Sequence, residues 1–254
     1  MTDRVVLLGH GIGYSASPAM HNAAFAAVGM GARYELADVP PDGLADAVAA
    51  LRAPDRLGAN VTQPHKVAVC DLVDQLAPEV ERLGAANTIV RAGDRLVAHN
   101  TDLAAVAGAL SDLGSGYRAV VLGAGGASRA VQAALADVGA TVEVVNRARW
   151  PSLRSLLADA DLVVNSTPIG TGSDETPVPP DLLRSDLAVL DLVYRPSPTR
   201  LVREARARGA WADAGAGVLL TQAMLSFELW TACPAPVDVM EAALRAELGA
   251  DAGA

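Results

Sequence analysis

Apolar residues fall in short runs broken by polar, glycine-marked turns, and the texture of those runs changes near the middle of the chain. Residues 4–8 read as a strand. Residues 17–28 carry helical spacing with Pro18 suited to the first turn. A strand is expected over 32–38 and a helix over 42–50. Residues 58–62 form a short strand that Gln63-Pro64 must end, because proline brings no N–H to a ladder. Residues 78–83 are helical, and 88–91 with 95–99 make a hairpin turning at Ala92-Gly93-Asp94.

Past residue 101 the pattern becomes strand, glycine turn, alanine-rich helix. Residues 118–122 run straight into Gly123-Ala124-Gly125-Gly126, and further strands follow at 141–145, 161–165 and 187–193. Strands alternating with helices after a glycine turn predict a doubly wound parallel sheet. Residues 215–225 lead into a last pair of helices ending near Leu248, with 249–254 expected to fray. The fold class is therefore α/β, in two α/β domains: residues 1–101 rejoined by 221–254, and residues 102–220.

Composition narrows the class. At 254 residues the chain is long enough to bury a substantial core, and its scarce aromatics (4%) suit alanine-rich helices on a parallel sheet better than a β-sandwich. A net charge of -9 argues against nucleic acid as a partner, yet leaves room for a local basic pocket on an anionic small molecule. Cys70 and Cys233 are far apart without metal-ligand spacing; buried reduced thiols and no metal site are expected. The first residues lack a signal-peptide pattern, and no apolar stretch reaches the roughly 20 residues of a membrane span. A cytoplasmic protein with no membrane partner, monomeric or a homodimer, is the expectation.

The chemistry concentrates at strand ends. Gly123, Gly125 and Ser128 occupy the three positions of G-x-G-x-x-G, with Gly126 and Ala127 opening the helix. Such a turn lets a pyrophosphate approach backbone amides at a helix N-terminus, although a tight turn alone would look the same. After the next strand an NAD site usually carries Asp or Glu; here stand Asn146, Arg147 and Arg149. Guanidinium groups there favour a 2′-phosphate, hence NADP(H), over a bare ribose; a solvated basic loop is the bland alternative. In the first half, Lys66 follows a strand end and a proline turn, and Asp102 follows another strand end before a helix. The pair could pass a proton to a ketone oxygen, while a surface lysine and a helix N-cap are the ordinary roles. Ser15 and Ser17 precede a helix, as caps or as carboxylate donors.

Gly13-Tyr14-Ser15-Ala16-Ser17-Pro18, His21-Asn22, Asn60-Val61-Thr62-x-Pro64-x-Lys66, Gly84-Ala85-Ala86-Asn87-Thr88 and Asn100-Thr101-Asp102 resemble the substrate domain of shikimate dehydrogenases. The match continues in order through the glycine turn, Asn165-Ser166-Thr167-Pro168, Asp191-Leu192-Val193-Tyr194, Gln222-Ala223 and Phe227-Glu228-x-Trp230-Thr231. The resemblance covers nearly the whole chain. It implies NADP-linked reversible reduction of 3-dehydroshikimate to shikimate, a step towards chorismate and the aromatic amino acids. Residues 1–101 and 221–254 would then bind substrate and 102–220 the dinucleotide in a Rossmann-type fold. Lys66 and Asp102 would be the catalytic pair, and Ser15, Ser17, Thr62, Asn87, Tyr194 and Gln222 the substrate contacts. Gly123, Gly125, Gly126, Ala127, Asn146, Arg147, Arg149 and Thr167 would contact the cofactor.

One departure stands out. After Asn146-Arg147 the family usually has Thr, a helix and another strand; here Ala148 stands for Thr, and Trp150-Pro151 leads into a single helix, 152–158, before the next strand. One strand fewer than usual is expected, with weaker hold on the cofactor. The alternatives are a quinate/shikimate dehydrogenase using NAD, or a family member that keeps its substrate pocket but binds cofactor weakly.

Overall fold

The computed structural model describes residues 3–249, so the expected frayed tail lies, apart from Gly249, outside the described residues. The chain divides into two compact units. One holds the described residues up to Asp102 together with Leu220–Gly249, and the other is Leu103–Leu219.

The first unit begins with β1 (Arg4–Gly9), α1 (Ser17–Ala27), β2 (Arg33–Asp38), α2 (Leu44–Ala49) and β3 (Arg56–Val61). It continues with β4 (Gln75–Leu76), α3 (Pro78–Leu83), β5 (Thr88–Ala92) and β6 (Arg95–His99). The six strands form one mixed sheet in the order β2-β1-β3-β5-β6-β4. β1 runs parallel to β2 and β3, while β3, β5 and β6 alternate antiparallel. β1 sits inside the sheet with Val5, Val6, Leu7 and Leu8 all buried. One core gathers Val6, Leu8, Ala59, Val61, Ile89 and Ala98 against Leu44 and Val48 of α2 and Val80 of α3. The hairpin is as expected, with Ala92 paired to Arg95. β4 is an addition: two residues are too few to show a period.

The second unit holds α4 (Asp102–Ala109) beyond its first residue, then β7 (Arg118–Leu122), α5 (Gly126–Asp137), β8 (Thr141–Val145) and α6 (Leu153–Ala158). β9 (Leu162–Asn165), β10 (Ala188–Asp191), α7 (Arg200–Arg206) and β11 (Ala212–Ala214) follow, and α8 (Ala216–Thr231) and α9 (Val237–Leu248) end the chain. Its sheet is wholly parallel in the order β11-β10-β9-β7-β8. Alternate residues serve opposite faces. Ala119 and Val121 pack with Val131 and Leu135 of α5, whereas Val120 and Leu122 pack with Leu153 and Leu157 of α6 and Val202 of α7. That is a doubly wound sheet. Five strands stand where the hydrophobic pattern shows four, because β11 is only three residues long. On the other side the sheet ends at β8. The link from β8 to β9 is a 3-10 turn over Arg147–Ser152 and then α6, enough for one crossover and no further strand. Trp150 of that turn packs on the core, so the short link is anchored.

Counting β7 as first, the order is 2-1-3-4-5 and reverses between β7 and β9. Open α/β sheets bind ligands outside the carboxyl ends of their strands at such a point. Among the described residues no helix is long and apolar enough to cross a membrane, and no cluster of His, Cys, Asp and Glu could hold a metal ion. Neither cysteine is buried as expected: Cys70 is half-buried and Cys233 exposed, the latter in the loop between α8 and α9.

Candidate active site and dinucleotide turn

In the first unit the ends of β3, β5 and β6 and the helix α8 bring one polar cluster together. Lys66 Nζ donates to Asp102 Oδ2 at 2.6 Å, with both side chains mostly buried. The loop carrying Lys66 is fixed by its backbone, since Lys66 O accepts the Ala86 N–H at 2.8 Å. Asn87 Oδ1 accepts the Thr101 backbone N–H at 2.8 Å and the Thr88 hydroxyl at 3.0 Å. A backbone N–H can only donate, so the amide has one orientation, with Nδ2 turned to the other side. There it donates to Asp102 Oδ1 at 2.9 Å, Thr101 Oγ1 at 2.8 Å and Gln222 Oε1 at 3.4 Å. The carboxylate of Asp102 is thus held at both oxygens. α4 starts with this residue.

Behind this cluster lies a buried network not singled out in the sequence. Asn60 Nδ2 donates to Asn87 O, Thr88 Oγ1 and Ser226 Oγ, and Asn60 Oδ1 accepts from the Tyr34 hydroxyl at 2.8 Å. Ser226 donates to Gln222 O, one turn back on α8. The spacing Gln222-x-x-x-Ser226 is the available sign, as it places both on one helix face. His21, stacked on Tyr34 with ring centroids 4.4 Å apart, is fully buried, and that burial lowers its pKa to about 3, so it stays neutral. His65 is also structural: it is buried and its Nε2 donates to Val39 O at 2.7 Å.

The serine loop follows β1 and lies beside the Lys66 loop. A Cβ on Gly9 would stand 2.5 Å from Thr62 Cγ2, and His10 N donates to Gln63 O at 3.1 Å. Tyr14 hydrogen-bonds the Gln63 side chain, while burial raises its pKa above the ordinary value. Ser17 is the first residue of α1 rather than its side-chain cap; Ser15 Oγ instead accepts the Ser17 N–H at 3.3 Å. Ser15, Ser17, Thr62, Lys66, Asn87, Asp102 and Gln222 all belong to the first unit, whereas Tyr194 is in the second, just after β10.

In the second unit the glycine turn leaves β7 at the point where strand order reverses. Gly123 has φ +107°, and a Cβ there would stand 2.8 Å from Ser166 Oγ. Ser128, in place of the third glycine, is buried and donates to Gly123 O at 2.8 Å, closing the turn. Gly125 is the N-cap of α5; no side chain caps that helix end, and a Cβ on Gly125 would meet nothing within 4 Å. Uncapped amides facing open space fit a pyrophosphate. At the end of β8, Asn146 Oδ1 accepts the Arg149 N–H at 3.1 Å. Arg149 is turned back on its strand, bonding Glu143 Oε2 and Val144 O at 2.8 Å each. The exposed side chain of Arg147 has no hydrogen-bond or ion-pair partner among the described residues. Of the two arginines, Arg147 is the one available to a 2′-phosphate.

The turn after β9 is built by Asn165, whose Oδ1 accepts Thr167 N at 3.0 Å and Thr167 Oγ1 at 2.7 Å. Asn165 Nδ2 donates to Asp191 Oδ1 at 2.9 Å. Asp191 also accepts Val193 N at 3.0 Å and the Thr199 hydroxyl at 2.7 Å. Its burial, only partly offset by those bonds, raises its pKa to about 6.

Taken together, the units have the make-up of a two-domain, dinucleotide-dependent oxidoreductase: one carries a lysine–carboxylate pair among polar donors, the other a glycine turn at a switch point. Sequence models of the shikimate dehydrogenase substrate binding domain and of the shikimate 5′-dehydrogenase C-terminal domain match residues 7–89 and 215–245. A relative from Halorubrum lacusprofundi, named shikimate dehydrogenase (NADP(+)), is 47% identical over 272 residues, covering 95% of this chain and 98% of the relative. One of the same name from Symbiobacterium thermophilum is 43% identical, covering 95% and 93%. The crystal structure of shikimate 5-dehydrogenase from Thermus thermophilus in complex with NADP(H) and shikimate superposes with a TM-score of 0.86 at 36% identity, covering 97% of this chain and 100% of that one. The chain belongs to the shikimate dehydrogenase family. Alignment with the Halorubrum relative runs over 272 residues against a chain of 254, so that relative has segments this chain lacks.

Proposed function

We propose that this protein is an NADP-dependent dehydrogenase that reversibly reduces 3-dehydroshikimate to shikimate, with residues 1–101 and 221–254 as the substrate domain and 102–220 as the dinucleotide domain. The observation that carries the reading is the Lys66–Asp102 pair, held at 2.6 Å and flanked by the oriented amide of Asn87. Family membership supports the substrate class, and the relatives' names support the cofactor.

Each residue has a physical task. Ser15 and Ser17 offer hydroxyls to the substrate carboxylate beside the positive end of α1. Thr62, Asn87 and Gln222 bond the ring hydroxyls, and Tyr194 is a further contact. The dinucleotide supplies or accepts the hydride at the ring carbon when bound. Lys66 Nζ donates a proton to the ketone oxygen as negative charge builds there, and takes it back in the reverse direction. Asp102 keeps the ammonium in place, and because the two groups are in contact they titrate as a pair. Gly123, Gly125, Gly126 and Ala127 form the backbone cradle for the pyrophosphate, Thr167 borders it, and Asn146 shapes the turn that presents Arg147 to the 2′-phosphate. Arg149, already paired with Glu143, steadies that turn.

The test is Lys66→Ala assayed with shikimate and NADP. A fall in kcat of about 10²–10⁴-fold with a smaller change in KM is expected. A near-normal kcat with a raised KM would reduce Lys66 to a binding group.

A further inference from the structure

Asp191 has so far been given no task, yet it is 1% exposed and lies at the carboxyl end of β10. Its three donors come from three segments. Asn165 ends β9, Val193 follows β10, and Thr199 caps α7, its hydroxyl also accepting the Val202 N–H at 3.3 Å. We propose that Asp191 is a positioning residue for cofactor binding, holding the Asn165–Thr167 turn in the shape that meets the dinucleotide. The inference rests on the assignment of that turn to the cofactor site.

The reasoning is one of donors and acceptors. Asn165 must keep Oδ1 towards Thr167 N–H and Thr167 Oγ1, which turns Nδ2 away from the turn. Buried there, Nδ2 needs an acceptor, and Ile169 O at 3.2 Å is the longer of its two bonds. The Asp191 carboxylate supplies the shorter, charge-assisted one. Every group donating to Asp191 is neutral. Its register neighbours are Asn165 on β9 and Ala214 on β11. Among charged residues on the surrounding segments, Asp213 of β11 bonds the Ala214 N–H, Arg200 and Arg203 of α7 bond Glu204 and Asp174, and Arg195 belongs to the loop after β10. The donors given for Asp191 are all uncharged, in keeping with the raised pKa of about 6.

Asp191→Asn copies the protonated acid in shape. Its amide oxygen can keep the bonds from Asn165 and Val193, but they are no longer charge-assisted, and its NH2 replaces Oδ2 so that the Thr199 hydroxyl must turn from donor to acceptor. The junction loosens without losing its packing. The experiment is a titration of the purified, ligand-free wild type and Asp191→Asn with NADPH, followed by nucleotide fluorescence from pH 5 to pH 8. At pH 8 the variant should bind about three- to ten-fold more weakly, the size of one hydrogen bond. Below about pH 6 the wild type takes up its own proton and the ratio of the two dissociation constants should close towards one. The 2′-phosphate also titrates near pH 6, but it does so in both proteins and cancels in the ratio. Equal binding at every pH, or a ratio that ignores pH, would overturn the proposal. Failure of the wild type to bind NADPH at all would instead remove the cofactor assignment beneath it. Should Asp191→Asn not fold, Thr199→Val serves: it removes one of the three donors, and weaker NADPH binding at pH 8 is expected, unchanged binding being contrary.

Discussion

Replacing Gly58 by alanine tests whether the first unit's packing, rather than its polar chemistry, sets the position of the cluster around Lys66. A Cβ at residue 58 would stand 2.0 Å from Ile89 O and 2.7 Å from Trp230 Nε1. These two atoms are themselves bonded, Trp230 Nε1 donating to Ile89 O at 2.9 Å. A methyl group needs more than an ångström of extra room from the carbonyl oxygen. Gly58 is paired with Val90 in the antiparallel β3–β5 ladder, so that room can come only by parting the strands or expelling the indole. Overpacking costs about 1–3 kcal/mol and an orphaned buried indole N–H about 1–3 kcal/mol more. The expected loss is therefore about 2–6 kcal/mol, read as a lower urea midpoint with tryptophan fluorescence as the probe. Activity should fall as well, because Asn60 lies on the same strand and Thr62 directly follows it. A loss below about 1 kcal/mol would mean that the backbone gives way easily and that this close approach is not a constraint.

Gly125→Ala should do the opposite: with nothing within 4 Å of the added methyl, stability should stay within about 0.5 kcal/mol while NADPH binds at least about ten-fold more weakly. Unchanged NADPH affinity in a titration would remove the pyrophosphate from this helix end. Arg147→Ala should weaken NADP binding by about 10–100-fold, as expected for one lost charge-assisted contact, and leave NAD binding within about two-fold. Arg149→Ala, losing a residue already paired with Glu143, should change it less; equal effects on NADP and NAD from Arg147→Ala would refute the phosphate reading.

Much of the fold is legible in the amino-acid pattern. Strands β1, β7 and β9 announce themselves because strands with a parallel neighbour on both sides are continuous apolar runs, and glycine or proline marks the strand ends. β4 and β11 are two and three residues long, paired by tertiary context, and carry no local signal. Among site residues, chain order can list Lys66, Asn87 and Asp102 but cannot give the Asn87 amide its orientation, which depends on the Thr101 N–H across the strand end. Arg147 and Arg149 look alike in the sequence. Only the fold shows that Glu143, six residues before Arg149 and at the exposed edge of β8, takes one of them out of service. Asp191 is visible as part of a motif, but its burial is not.

The first unit is discontinuous, and this bears on how the chain is made. Asn60, Thr88 and Thr101 are synthesised early, yet Gln222 and Ser226, which complete their hydrogen bonds, arrive only after the whole of Leu103–Leu219. At about 5–20 residues per second, the polar interior around Asn60 waits roughly ten seconds for its partners. Throughout that interval the second unit, continuous in sequence, gathers its five strands. The later segment of the gene product thus completes the earlier one: until α8 is made, Asn60, Thr88 and Thr101 lack their partners on Gln222 and Ser226.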